Sequence, residues 1–266
     1  MSGNTKAAAK PRKHTKTQLA EFRQGYLFLT PALIVLGIFI GAAVLFVIYL
    51  SFHKVNLFTG QYTFVGLENY MRLFSDGMAR TALKNTLSFA VVVVPIQTIL
   101  SLIIAAVLDS NIKGRYTFRT IYFLPTLTSS SALTIIFMFM FSVTGPVNTL
   151  LIKMGVLETG INFLNDPSFA LKVIMVMNIW STIPQYTTMY LASLQDLPGG
   201  MYEAAAIDGA GPVRRFWAIT VPYLKPITTY VLLTSIIGTL QMFDQAYIFS
   251  NGSGGPANST LTVSLL

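Results

Sequence analysis

Long, mostly apolar runs alternate with short polar segments along the 266-residue chain. The runs occupy residues 26–50, 83–108, 119–141, 171–194 and 224–249. Each reaches the roughly 20 apolar residues that a helix needs to cross the hydrocarbon core, and a helix satisfies its own backbone groups where there is no water. The pattern predicts an all-α, polytopic membrane helix bundle with five visible spans. Pro95, Pro125, Pro184 and Pro226 fall in or beside four of them, so kinks are expected inside the bundle. A further apolar run starts at Leu261 and stops with the sequence at Leu266. As helix it would rise about 9 Å against a core of about 30 Å, so a sixth span is expected to continue past Leu266.

Composition agrees with a lipid environment. Hydrophobic residues make up 53% and charged residues 11%, where a soluble domain carries about 25% charged; mean hydropathy is +0.61. The formal net charge of +8 suggests a nucleic-acid partner only until its distribution is read. Lys6, Lys10, Arg12, Lys13, Lys16 and Arg23 crowd into the first 24 residues, without the interleaved aromatics that stack on bases. Residues 1–24 are therefore read as a basic cytoplasmic tail, and 25–266 as the membrane domain. The first run is longer than the ~7–15 residue core of a secretory signal and lacks a small-residue cleavage pattern. Basic residues favour the cytoplasmic side of short loops. Segment 109–119, with Lys113, Arg115 and Arg119, is then inside, as is 196–225, with Arg214, Arg215 and Lys225. Loops 51–82 and 142–170 fall outside, although the first runs against the rule by carrying Lys54, Arg72 and Arg80.

The candidate chemistry is sparse. There is no cysteine, which excludes disulfides and thiolate catalysis. His14 and His53 have no second ligand at metal spacing, and no Gly is followed directly by Lys, so no phosphate-cradling G-x-x-x-x-G-K loop exists. No paired acids or activated nucleophile point to an intramembrane enzyme. Within the runs, Thr126, Ser130, Asn178, Ser181, Thr182, Gln185 and Gln241 supply neutral hydrogen-bonding groups. Polar groups are costly in lipid and tend to face a cavity, which here suits a hydroxyl-rich solute. The same residues equally fit helix-to-helix glue, a common use of Ser, Thr and Asn in membranes. Asp244, near the outer end of the last run, fits gating or packing better than proton coupling. Gly37 and Gly41 form a GxxxG pair that permits close helix approach.

The most informative stretch is 203–226, EAAAIDGAGPVRRFWAITVPYLKP, in the expected cytoplasmic loop of about 197–226. Ala204, Ala205 and Ala206 leave little bulk on a short helix, so another protein surface can approach its backbone. Glu203 suits the positive end of the helix dipole. Gly209 and Gly211 are expected to take left-handed conformations that end the helix, and Pro212 to begin the next. The pattern of Glu203, Ala204, Ala205, Asp208, Gly209, Ala210, Phe216, Ile219, Pro222 and Pro226 resembles the EAA loop of ABC importer permeases. Phe243, Asp244, Tyr247, Gly254, Gly255, Pro256, Ser259 and Thr260 resemble the penultimate helix and outer loop of the carbohydrate type related to the maltose system. Phe123 to Pro125 and Asn178 to Pro184 extend that likeness over most of the chain from about Thr81.

The resemblance implies a transport subunit of the bacterial cytoplasmic membrane rather than an enzyme, with its N terminus in the cytoplasm. Its implied partners are a second permease chain, two ATPase subunits that bind ATP and Mg, an external solute-binding protein and membrane lipid. No cofactor is implied for this chain. Glu203, Ala204, Ala205 and Gly209, with Asp208 and Ala210 of the motif, would contact the ATPase; Arg214 and Arg215 would add charge pairs. The family's sugar path maps to Thr126, Ser130, Asn178, Ser181 and Thr182. An ion-coupled secondary carrier is the alternative, disfavoured because no acid or base lies deep in a run.

Overall fold

The computed structural model describes residues 16–56, 58–110 and 114–266. Lys6, Lys10, Arg12, Lys13, His14 and Lys113 lie outside the described residues. The chain divides into two compact units, Met1–Ser75 and Asp76–Leu266. Among the described residues three helical stretches are long and apolar enough to cross a membrane, Ala20–Ser51, Gly77–Asp109 and Lys225–Ser250, and a sharply bent helix pair makes a fourth if taken as one span. The described residues are all-α apart from one small hairpin.

In the first unit, α1 (Lys16–Leu36) runs through a π-helical turn (Gly37–Ala42) into α2 (Ala43–Ser51). Gly37 and Gly41 both fall in that π turn, and the helix is apolar all round, as suits a span facing lipid. Strands β1 (His53–Asn56) and β2 (Gln61–Phe64) then form an antiparallel hairpin, pairing His53 with Phe64 and Asn56 with Gln61. Helix α3 (Glu68–Ser75) ties this hairpin to the span, because the Asn69 amide donates to the carbonyls of Ser51 at 2.9 Å and His53 at 3.1 Å.

The second unit is built on two long helices. Helix α4 (Gly77–Asp109) is started by Asp76, whose carboxylate accepts from the Met78 N–H at 2.8 Å. Its 33 residues rise about 50 Å, with Pro95 tolerated inside. Ala82, Thr86, Phe89, Val93, Gln97, Ser101, Ala105 and Leu108 repeat at three- and four-residue steps and are buried, while Val91, Ile99, Ile103 and Val107 face outward. Helix α8 (Ala170–Gln195) packs along that buried face. Its 26 residues are long enough to span and include Asn178, Ser181, Thr182, Gln185, Thr187 and Thr188. Phe89, Val93, Ile174 and Met177 belong to one apolar cluster and Ala105, Leu108, Tyr190 and Leu194 to another. Between them in sequence lies a polar layer, where the Thr182 hydroxyl donates to Gln97 Oε1 at 2.6 Å and the Ser101 hydroxyl to the Ile183 carbonyl at 3.2 Å.

Two of the predicted spans are broken rather than kinked. The run 119–141 becomes α5 (Arg115–Phe123), a 3₁₀ turn Leu124–Leu127 containing Pro125, and α6 (Ser130–Met140). Thr117–Leu127 and Ser130–Met140 meet at 101°. Ser129 restarts the helix, its hydroxyl accepting from the Ala132 N–H at 3.3 Å. Helix α7 (Pro146–Lys153) follows in the next loop, where buried Asn148 bonds the Ser142 carbonyl and both backbone groups of Ile161. The run 224–249 is interrupted at 241–243, between α12 (Lys225–Leu240) and α13 (Asp244–Ser250); the short helices α9 (Gly199–Ile207), α10 (Pro212–Arg215) and α11 (Val221–Tyr223) precede it.

Residues 261–266 form turns, not a helical turn of a new span. They are docked by hydrogen bonds. Asn85 Nδ2 donates to the Asn258 and Leu261 carbonyls at 2.8 and 3.0 Å, and the Val263 N–H donates to the Thr86 hydroxyl at 3.0 Å. Thr262 and Ser264 donate to the carbonyls of Met242 and Leu240 at 3.1 and 3.2 Å. The preceding turn depends on Gly255, at φ 75° and ψ −169°, a region that only glycine adopts freely. A Cβ there would collide with the buried Thr260 hydroxyl. Gly255→Ala should therefore cost about 2–3 kcal/mol, read as a lower thermal midpoint of the purified protein; an unchanged midpoint would show that this turn does not anchor the C-terminal segment.

Candidate functional site

Two places combine polarity or exposure with a defined geometry: a cavity at the α12–α13 break and the helical hairpin joining α8 to α12. The cavity, of about 210 Å³, is lined by Ser130 at the start of α6, Asn178 of α8, Gly238 near the end of α12, Gln241, Met242 and Phe243 of the break, and Asp244 and Gln245 of α13. The Asn178 amide donates to Gln245 Oε1 at 3.2 Å. Phe243 stacks on Tyr247 with ring centroids 5.4 Å apart, which adds an aromatic wall. Neutral acceptors and donors dominate the lining, with Asp244 the one carboxylate.

Three of the predicted path residues, Ser130, Asn178 and Gln241, meet in this cavity. The others do not line it. Ser181 returns its hydroxyl to the Asn178 carbonyl at 3.0 Å. Gln185 is exposed on α8. With Asn178 and Thr188, these two mark a polar stripe at helical spacing, about 15 Å long, on the less buried face of α8. Thr126 sits on the 3₁₀ turn, exposed, with its hydroxyl on the Phe123 carbonyl at 2.7 Å. Thr182 is engaged instead with Gln97, which is 1% exposed, and so takes the helix-glue role. Gln245 was not among the sequence candidates because a continuous helix over 224–249 gave no reason to turn it toward Asn178.

The hairpin is shaped by its glycines and alanines. At the end of α9, the Ala210 N–H donates to the Ala205 carbonyl at 2.9 Å and the Gly209 N–H to the Ala206 carbonyl at 3.1 Å, the paired bonds of a Schellman cap. Gly209 is left-handed at φ 74°, as expected. Gly211 is not: it is extended, at φ −66° and ψ 166°, because it caps the start of α10 ahead of Pro212 rather than the end of α9. Glu203, Ala204 and Asp208 are exposed, Ala205 and Ala210 half-buried, Arg214 exposed and Arg215 half-buried. The sequence reading missed the apolar members: Ile207 is 87% and Val213 72% exposed, beside exposed Met201 and Trp217. Large side chains held open on a structured loop mark a contact surface. Their position next to the alanines was the available signal.

Among the described residues no group of three metal-ligating side chains is clustered.

The two fates of the polar residues separate experimentally. Thr182→Val strips buried Gln97 of its donor and should lower stability by about 1–3 kcal/mol. Asn178→Ala, in an open cavity, should change it by less than about 1 kcal/mol. Thermal unfolding of both variants measures this, and equal destabilisation would contradict the assignment of one residue to glue and the other to the cavity.

The chain matches the family model for the binding-protein-dependent transport system inner membrane component over residues 97–266. It is 42% identical over 246 residues to the lactose transport system permease protein LacF of Rhizobium radiobacter, covering 91% of this chain and 80% of that protein. It is 37% identical over 254 residues to the trehalose/maltose transport system permease protein MalF of Thermococcus litoralis, covering 95% and 84%. Among solved structures, it resembles a chain of the bacterial alginate ABC transporter crystallised with an alginate pentasaccharide-bound periplasmic protein. The TM-score is 0.74 at 20% identity, covering 94% of this chain and 82% of that one, a likeness of fold. These matches bear out the resemblance to ABC importer permeases drawn from 203–226 and 243–260. The chain belongs to the family of binding-protein-dependent transport system inner membrane components.

Proposed function

We propose that this chain is the permease subunit of an ATP-driven ABC importer and conducts a sugar or oligosaccharide into the cytoplasm. One observation carries the reading: a rigidly capped hairpin, with small residues and exposed Ile207 and Val213, interrupts the bundle between α8 and α12. Such a surface suits a docked protein and not a solvated linker. Glu203, Ala204, Ala205, Asp208, Gly209 and Ala210, with Arg214 and Arg215 at the edge, form the ATPase contact. ATP and Mg are bound by two ATPase subunits, since this chain has no phosphate loop.

The solute class is supported by the neutral lining of the cavity and by the sugar-permease relatives. Ser130, Asn178 and Gln241 offer hydrogen bonds to hydroxyl groups, and the stripe Asn178, Ser181, Gln185 extends them along α8. A second permease chain closes the open side of that stripe, and an external solute-binding protein delivers the solute. The basic tail and the 196–225 loop face the cytoplasm. An ion-coupled carrier fits less well, since the ionisable lining of the cavity is a single acid, Asp244, in an otherwise neutral site.

Reconstitution in proteoliposomes with the ATPase and binding protein tests this. Uptake should require ATP and persist under an ionophore. Gly209→Asp, which puts bulk and charge on the cap, should reduce uptake to background with the complex still assembled. Ser130→Ala with Asn178→Ala should lower it severalfold, at about 0.5–1.5 kcal/mol per lost bond. Uptake that needs an ion gradient instead of ATP would refute the importer reading.

A further inference from the structure

Helix α9 buries no residue of its own, so apolar packing does not fasten it to the bundle. Its covalent path to α10 runs through the left-handed Gly209 and the extended Gly211. The backbone joins α9 to α8 through residues 196–198; toward α12 the direct tie is a side chain. Half-buried Tyr202, in its first turn, shares a hydrogen bond with the hydroxyl of Thr220, which is 2% exposed. Among the described residues this is the side-chain hydrogen bond that leaves α9.

Thr220 stands at a mechanically distinctive place. It ends the π-helical turn Phe216–Thr220, where the ladder is wider than in an α-helix, and Pro222 two residues on removes another donor. The Thr220 carbonyl accepts from the Leu224 N–H at 3.0 Å. Leu224 is fully buried in the apolar cluster with Tyr186, Tyr190, Leu194 and Val231, which joins α8 to α12. The adjacent Tyr223 donates from its phenol to the Asp196 carbonyl at the end of α8, at 3.0 Å. A continuous line of contacts therefore runs from the exposed helix to the near ends of both cavity-lining helices.

We infer that the Tyr202–Thr220 hydrogen bond is the link through which displacement of α9 reaches α12 in step with α8, making Tyr202 a positioning residue for transport. The inference rests on the importer reading above. Loss of the bond lets α9 move with α8 without dragging α12, so more ATP is spent for each solute moved. The surface of α9 that meets the ATPase is unchanged, because the Tyr202 side chain turns inward to Thr220.

The test uses the complete transporter in proteoliposomes, with lactose, maltose and trehalose as the probe sugars, measuring uptake and ATP hydrolysis together. Tyr202→Phe should raise ATP hydrolysed per sugar transported by about two- to tenfold, the range of one hydrogen bond, while the ATPase still co-purifies. Thr220→Val should give the same ratio, Thr220→Ser should return it to within about twofold, and the double variant should be no worse than either single one. An unaltered ratio in Tyr202→Phe, additive losses in the double variant, or loss of the ATPase on purification would each overturn the link. Wild-type uptake that ignores ATP would instead remove the importer reading beneath it.

Discussion

The constraint on which the structure depends is that backbone groups withdrawn from water must find partners within the protein. Regular spans meet it by themselves, but α12 and α13 leave carbonyls free where the helix breaks at 241–243. Those of Leu240 and Met242 are taken up by Ser264 and Thr262 from the docked C-terminal segment. Asn85 and Thr86 of α4 hold that segment in turn. A polar cavity inside a membrane bundle exists because this set of hydrogen bonds makes a broken helix tolerable. Broken helices are where transporters commonly place their solute sites.

The same two helices connect the cavity to the exposed hairpin. Asn178 lies on α8, and Gly238 and Gln241 lie at the end of α12; the hairpin is the segment joining α8 to α12. Movement at α9 therefore reaches α8 through residues 196–198 and α12 through α10, the π turn and α11. The packed cluster around Tyr190 and Leu224 joins the hairpin's end to α8 and α4, and the polar layer at Gln97, Ser101 and Thr182 adds hydrogen bonds between α8 and α4. Rigid attachment on one side and a looser π turn on the other, at Phe216–Thr220, suit a bundle that alternates between arrangements.

Much of this was legible in the residue pattern. The apolar runs located the membrane helices because burial in lipid demands long uncharged segments, and Gly209 revealed its left-handed cap because only a few residues tolerate that backbone. Gly211 misled, since glycine is as acceptable at a helix start as at an end. The break at 241–243 contains no proline or glycine, so nothing local announced it. It arises from hydroxyls some 20 residues further along the chain. For the same reason Asn178 and Thr182, one turn apart and chemically alike, could not be sorted into cavity and glue before their partners Gln245 and Gln97 were known. The β1–β2 hairpin was likewise hidden, being only four residues per strand inside an unremarkable loop.

The claim that 199–215 is the ATPase docking surface has a direct measurement, made clean by the absence of native cysteine. Ile207→Cys places a lone thiol at the exposed end of α9. In the isolated permease it should react quickly with a membrane-impermeant maleimide, and assembly with the ATPase should slow that reaction at least tenfold. A thiol introduced at Ser253, in the loop after α13, should be indifferent to the ATPase. Equal labelling of Ile207→Cys with and without the ATPase would contradict the account.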